Sequence, residues 1–158
     1  MSPNSRWLLP LLGVMFLTSA QAEEPNRVYD SNCALCHQRA GVGLTGQFPR
    51  LAGRAGEIAT TEGGRRYSIE VALFGMAGKV EVDGVPIIGV MPGFATLPDE
   101  ELASVLNYII ALEGQTKSKR KGKPPSIGAA DVKDVRAAAQ LSPGQVRANR
   151  ESALAANK

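Results

Sequence analysis

Apolar residues recur at three- and four-residue intervals late in the chain, at Leu102, Val105, Leu106, Ile109 and Ile110. That spacing gathers them on one face of an α-helix. Asp99, Glu100 and Glu101 fall in its first turn, where the helix dipole favours negative charge, and Gly114 lies where a stop is expected. The start is less sharply marked. Pro98 occupies the usual place of a capping hydroxyl, and Thr96 stands at capping-box distance from Asp99. A different period governs KVEVDGVPII (79–88), where alternating residues flank Asp83-Gly84. Alternation around that turn pair predicts a hairpin, and Pro86 confines it to an edge or irregular strand. Upstream, the pattern predicts a first helix continuing through Ser31 to Arg39, a glycine- and proline-rich loop from Ala40 to Gly56, and a short helix from Tyr67 to Met76.

The two ends of the chain follow other rules. Arg6 precedes an apolar run from Trp7 to Leu17, and Ala20 and Ala22 close the segment with one residue between them. This is a secretory signal layout with cleavage expected after Ala22. The run is shorter than the roughly twenty residues that span a bilayer, and Pro10 interrupts it. After Gly114 periodicity vanishes: TKSKRKGKPP (116–125) reads as a charged, solvated linker. Beyond it, alanine-rich stretches flank Ser142-Pro143, and Ser142 is expected to cap a helix from Pro143 to about Ala155. With chiefly Val146 and Leu154 as large apolar residues, that helix cannot form a core alone. It must dock on the body, bind a partner or fray. The expected organisation is thus a signal peptide (1–22), one main domain (23–115), a basic linker (116–125) and a partly helical extension (126–158).

Charge divides along the same boundary. Residues 23–115 hold seven Lys and Arg against twelve Asp and Glu, a balance of −5, whereas residues 116–158 hold ten against three, a balance of +7. A basic arm on an acidic body can fold back, steer toward an acidic partner or rest on an anionic membrane surface. Nucleic acid is not an expected partner of an exported chain of this kind.

The chemistry is concentrated in NCALCH (32–37), which holds both cysteines and the single histidine. A disulfide between Cys33 and Cys36 would close a very small loop and restrain the unfolded chain little. A thiol–disulfide oxidoreductase needs its C-x-x-C after a strand, and EEPNRVYDSN has no strand-like apolar run. A closed zinc site wants four ligands where three are offered. Covalent haem attachment remains: each sulfur adds across one vinyl group, and the adjacent imidazole binds iron from beneath the ring. Without a second histidine, the sixth ligand is expected to be a thioether. Beyond the leader only Met76 and Met91 qualify. Met91 sits in GVMPGF, an irregular loop able to press a side chain onto a flat face, whereas Met76, near a helix end, reads as core filler.

These motifs together resemble the class I c-type cytochromes: Tyr29 and Asn32-Cys33 leading into Cys36-His37, then FPRLAG (48–53), GKVEVDG (78–84), GVMPGF (89–94) and LPDEELASVLNYI (97–109). The resemblance covers roughly residues 25–113. It implies an all-α, cytochrome c-like domain around one covalent haem c, here with a hairpin-like loop and a C-terminal helical extension. By position it makes Cys33 and Cys36 the thioether links, His37 the proximal ligand and Met91 the distal one. It also makes the Pro49 carbonyl the acceptor for the histidine ring and packs Leu51 against the haem face. In the family the closing helix crosses the first, which makes Tyr29 and Tyr108 packing groups. Some related electron carriers end in a similar valine- and arginine-bearing helix, which favours docking of the extension on the chain's own body. Arg65 and Arg66 read as surface charge at a helix start, with contact to haem propionates as the alternative.

With both axial positions filled by protein, no site is left for a substrate. The implied function is one-electron transfer between exported redox proteins, a dehydrogenase as donor and an oxidase or another cytochrome as acceptor. A stable electron-accepting subunit of a periplasmic dehydrogenase, oxidising alcohols or sulfur compounds, is the alternative. An enzyme in its own right would need a labile Met91, and no distal base supports it.

Overall fold

The structure, a computed structural model, describes residues 24–114, 126–138 and 140–155. The expected signal peptide and basic linker lie outside the described residues. Ten short elements follow in order: α1 (Pro25–Asn32), α2 (Ala34–His37), a 3-10 turn (Arg39–Gly41), α3 (Arg54–Ile58), α4 (Glu62–Phe74), β1 (Met76–Val82), β2 (Val85–Met91), α5 (Asp99–Ala111), α6 (Ala129–Ala138) and α7 (Pro143–Ala155). The described residues are mainly helical, with one two-stranded sheet among them.

The core forms where α1 meets α5. Val28 and Tyr29 face Leu102, Val105, Leu106, Ile109 and Ile110, all buried, and the Tyr29 and Tyr108 rings stand 5.4 Å apart at 52°. That tilted geometry suits the ring quadrupoles. The periodic face read from the sequence is therefore the buried face. Its N-terminus differs from expectation: Pro98 occupies the N-cap position, and no side chain caps the helix. The preceding loop is held from elsewhere, by Arg136 of α6, which donates to the Ala95 and Leu97 carbonyls and bonds Asp99 at 2.8 Å.

The bounds of α4 and of the hairpin both move. α4 starts at Glu62 and not at Tyr67, because Thr61 accepts a cap bond from the Gly64 N–H at 3.0 Å and the following glycines disguise a good helix start. It ends at Phe74, so Met76 opens a strand. The hairpin in turn extends beyond 79–88, pairing Met76 with Met91 at its open end and Val82 with Val85 at its turn. Asp83 and Gly84 both take positive φ (54° and 77°), as a tight two-residue turn demands. Pro86 is tolerated because each strand of a two-stranded sheet has a free edge. Val80, Val82 and Ile87 point inward, while Ile88 and Val90 remain exposed.

Both described pieces of the extension lie on the body. From α6 and the residues before it, Ile127, Val132 and Val135 join the main core. α7 rests on α4 and β1, burying Val146 and Ala153 against Tyr67. Leu154, the other large apolar residue of α7, is only half-buried.

Candidate functional site

The first helix breaks at Cys33, and the break builds the site. Cys33 takes φ −117°, closes α1 through its N–H on the Tyr29 carbonyl at 2.8 Å, and offers its own carbonyl to the His37 N–H at 2.9 Å. One further turn thus brings Cys33, Cys36 and His37 to a common cleft. Past His37 the chain reverses, and the Tyr29 hydroxyl donates to the Gln38 carbonyl at 2.8 Å, tying that reversal to the core.

The cleft has two adjoining lobes of about 1060 and 1110 Å³, counted with their open mouths. Both lobes are walled mainly by apolar side chains, Val80 and Phe94 among those common to the two. Cys33, His37, Pro49, Met76, Met91 and Phe94 line both lobes, Cys36 lines one and Leu51 the other. All six residues singled out in the sequence therefore reach one cavity.

His37 is 6% exposed, and its Nδ1 lies 2.8 Å from the Pro49 carbonyl oxygen. A carbonyl only accepts, so Nδ1 carries the proton and Nε2 keeps its lone pair. Burial pulls the imidazole below its ordinary pKa, and the Pro49 carbonyl opposes this. The ring is consequently neutral at pH 7. Leu51 packs on the main core, its N–H bound to the Gly41 carbonyl at 2.8 Å. Cys33 and Cys36 are free thiols, and burial pushes Cys33 up to about 11, with Cys36 adding to the rise. Thiol-redox catalysis requires the reverse, a thiol lowered toward neutrality.

Met91 ends β2, and the loop after it is pinned to the end of α4. The Phe94 N–H bonds the Ala72 carbonyl at 2.8 Å, and a side chain at Gly93 would strike the Leu73 carbonyl, as one at Gly75 would strike that of Met91. Backbone meets backbone here, which only glycine permits.

A family model described as cytochrome c oxidase, cbb3-type, subunit III matches residues 20–109, more than half of the chain. The chain belongs to the c-type cytochromes. It is 44% identical over 146 residues to a cytochrome c-552 of Thermus thermophilus, covering 92% of this chain and 95% of the relative. A second Thermus thermophilus cytochrome c-552 is 47% identical over 121 residues, 77% of this chain and 90% of the relative. With 146 residues aligned, that similarity runs beyond the stretch 20–109 matched by the family model. A cytochrome c subunit of a quinone-dependent alcohol dehydrogenase from Gluconobacter oxydans is 31% identical over 110 residues, 69% of this chain but 21% of that protein.

The cytochrome is accordingly an electron-transfer protein that works with redox partners, and its family carries iron in covalently held haem. Among the described residues, no helix is long and apolar enough to cross a membrane. Its cleft also shows residues that the motif reading missed. Arg50, Arg54 and Arg150 line one lobe beside Tyr67. Arg50 is engaged by Asp83, through Nε at 2.6 Å and Nη2 at 3.0 Å. Arg54 is pulled below its ordinary pKa, first by burial and then by the Arg150 charge. Arg65 and Arg66 have partners elsewhere, the Ala59 carbonyl and Glu70, and neither lines the cleft. No local signal links Arg54 to Arg150, because only the fold of α7 brings them together. Met76 also lines the cleft, its Sδ accepting from the Tyr67 hydroxyl at 3.3 Å.

Proposed function

We propose that the cleft holds one haem c, joined through thioether bonds to Cys33 and Cys36, with His37 and Met91 as axial ligands. The observation that carries this reading is the His37–Pro49 hydrogen bond, which leaves the Nε2 lone pair for iron in a cleft that Met91 also lines. The charge of the cleft supports it: half-buried guanidinium groups with one carboxylate already engaged fit two propionates, and Arg54 and Arg150 are the residues that would hold them. When bound, the haem iron takes up and returns one electron. The chain's own residues keep it in a dry, rigid pocket. Cys33 and Cys36 fix the macrocycle's edge, Pro49 holds the imidazole orientation, and the pinned loop after Met91 carries the thioether. A soft thioether raises the potential relative to a second imidazole.

On this reading the protein is an exported, one-electron shuttle, cleaved after Ala22, with residues 23–115 as haem domain and 126–158 as an extension joined by the basic segment 116–125. Leu35, between the cysteines, is 87% exposed, and Ile88 and Val90 stand exposed at the mouth of one lobe. An uncharged rim of this kind suits brief partner contacts that must release after each turnover. The similarity to the Gluconobacter dehydrogenase subunit favours one second reading, a haem subunit held stably in a dehydrogenase. Co-purification with a larger catalytic chain would select it.

The deciding experiment is the visible spectrum of the matured protein with and without carbon monoxide. A reduced c-type spectrum indifferent to carbon monoxide, and loss of covalent haem in Cys33→Ala/Cys36→Ala, is the expected result. Rapid carbon monoxide binding would instead mean an open iron, and the electron-shuttle reading would fall.

A further inference from the structure

Two methionines enter the cleft, and the function proposed above uses one. Met76 and Met91 are direct partners across the open end of the hairpin. Side chains directly opposite each other in an antiparallel pair stand on the same face, with Cβ atoms roughly 4.5–5.5 Å apart. Both line each lobe of the cleft together with His37. The two thioethers are chemically identical, so only their surroundings distinguish them.

Those surroundings are unequal. Met76 Sδ accepts a hydrogen bond from the Tyr67 hydroxyl at 3.3 Å, and its side chain packs on the cluster of Tyr67 and Val146 and on that of Val80, Val82 and Ile87. Met91 is half-buried and belongs to none of the apolar clusters formed among the described residues. A thioether sulfur engaged by a donor is a poorer ligand than a free one. Tyr67 itself is held by α4 below and by Val146 of α7 above, so its hydroxyl is a fixed feature of the cleft wall.

We infer that Met76 is a reserve axial ligand, a second thioether that the Tyr67 hydroxyl holds off the iron while Met91 is bound. The inference rests on the haem reading given above. When Met91 releases, Met76 exchanges its hydrogen bond for iron. Both ligands are neutral thioethers, so the exchange moves no charge and no proton, and the iron stays closed to small ligands. The carrier thereby keeps its coordination through transient loss of the loop after Met91.

The test uses full-length protein matured with haem, and reads the thioether-to-iron charge-transfer band of the ferric form and the upfield methionine methyl resonance of the ferrous form. The variants are Met91→Leu, Met76→Leu, their double, and Tyr67→Phe. Leucine conserves the methionine volume well enough for the fold to persist. Expected results are a thioether signature kept by Met91→Leu with a displaced methyl resonance, lost in the double, and carbon monoxide binding about tenfold slower in Met91→Leu than in the double. Tyr67→Phe, with both methionines present, is expected to show two methyl resonances in place of one. Met91→Leu matching the double would overturn the inference and leave Met91 ligation standing. Should Met91→Leu fail to mature, a single wild-type resonance in Tyr67→Phe overturns it equally. A wild-type protein without any thioether signature, by contrast, would overturn the ligation reading itself.

Discussion

At the scale of single residues, charge inside the cleft is the property with the most direct electrical consequence. Arg54 sits half-buried, its pKa depressed by burial and by Arg150. A cation held near a redox centre stabilises the reduced, less positive state. Neutralising it in Arg54→Gln is expected to lower the reduction potential, by on the order of 1 kcal/mol of electrostatic free energy if the separation is about 10 Å and the effective dielectric about 20. Arg150→Gln should act in the same direction, and spectroelectrochemical titration of both variants reads the shift. An unchanged potential in both would place the propionates away from this lobe. His37 shows how a residue can be legible while its state is not. Its identity as the lone histidine after C-x-x-C is plain in the sequence, whereas its neutral state follows from burial in the folded chain and its tautomer from the Pro49 carbonyl, twelve positions away.

At the scale of elements, the hairpin is tied to the body at its turn as well as at its open end. Arg50 grips Asp83 in a two-pronged contact and also donates to the Ala52 carbonyl at 2.8 Å, coupling the turn to the loop that carries Pro49 and Leu51. The hydrogen bond and charge of Arg50 hold the Asp83 carboxyl below its usual value. The stabilisation is therefore fully present above the unfolded-state value of about 3.9 and is lost as pH falls through the lower folded value. Because Asp83 is about half exposed, the contribution is limited to about 0.5–1 kcal/mol. Urea unfolding of Asp83→Asn is expected to show lower stability than the parent at pH 7, with the difference vanishing at acid pH. Asparagine retains the positive φ comfortably, so a persistent difference at low pH would point to turn geometry and not to the ion pair. α4 makes the complementary point about legibility: its start at Thr61 was hidden by Gly63 and Gly64, whose poor helix propensity was outweighed by the cap and by burial of Tyr67, Ile69 and Leu73.

At the scale of the whole molecule, the extension is part of the core. Val132 and Val146 are both 0% exposed, one against α5 and one against Tyr67 of α4. Asn107 closes the joint, donating to the Ile127 carbonyl at 2.8 Å and accepting its N–H at 2.9 Å. Asn149 binds buried Glu70 at 3.0 Å, and Arg150 reaches the Glu81 carbonyl at 2.7 Å. Val132→Ala and Val146→Ala are each expected to cost about 1–2 kcal/mol in chemical denaturation, the transfer loss of buried methyls plus a residual cavity. The two valines belong to separate clusters that Phe74 joins, so a departure of the double variant from additivity would report coupling through α4. A cost near zero for Val146→Ala would mean that α7 does not hold its place on α4 in solution.

Short-range pattern determined much of this protein. The C-x-x-C-H turn, the period of α5 and the Asp83-Gly84 hairpin each depend on residues within a few positions of one another, where helix and strand periods act directly. Tertiary structure decided what separate segments do together. It placed Met76 opposite Met91, gave the uncapped start of α5 to Arg136, and carried Arg150 to the cleft beside Arg54. These contacts join residues far apart in the sequence, and no local period encodes which distant side chain arrives.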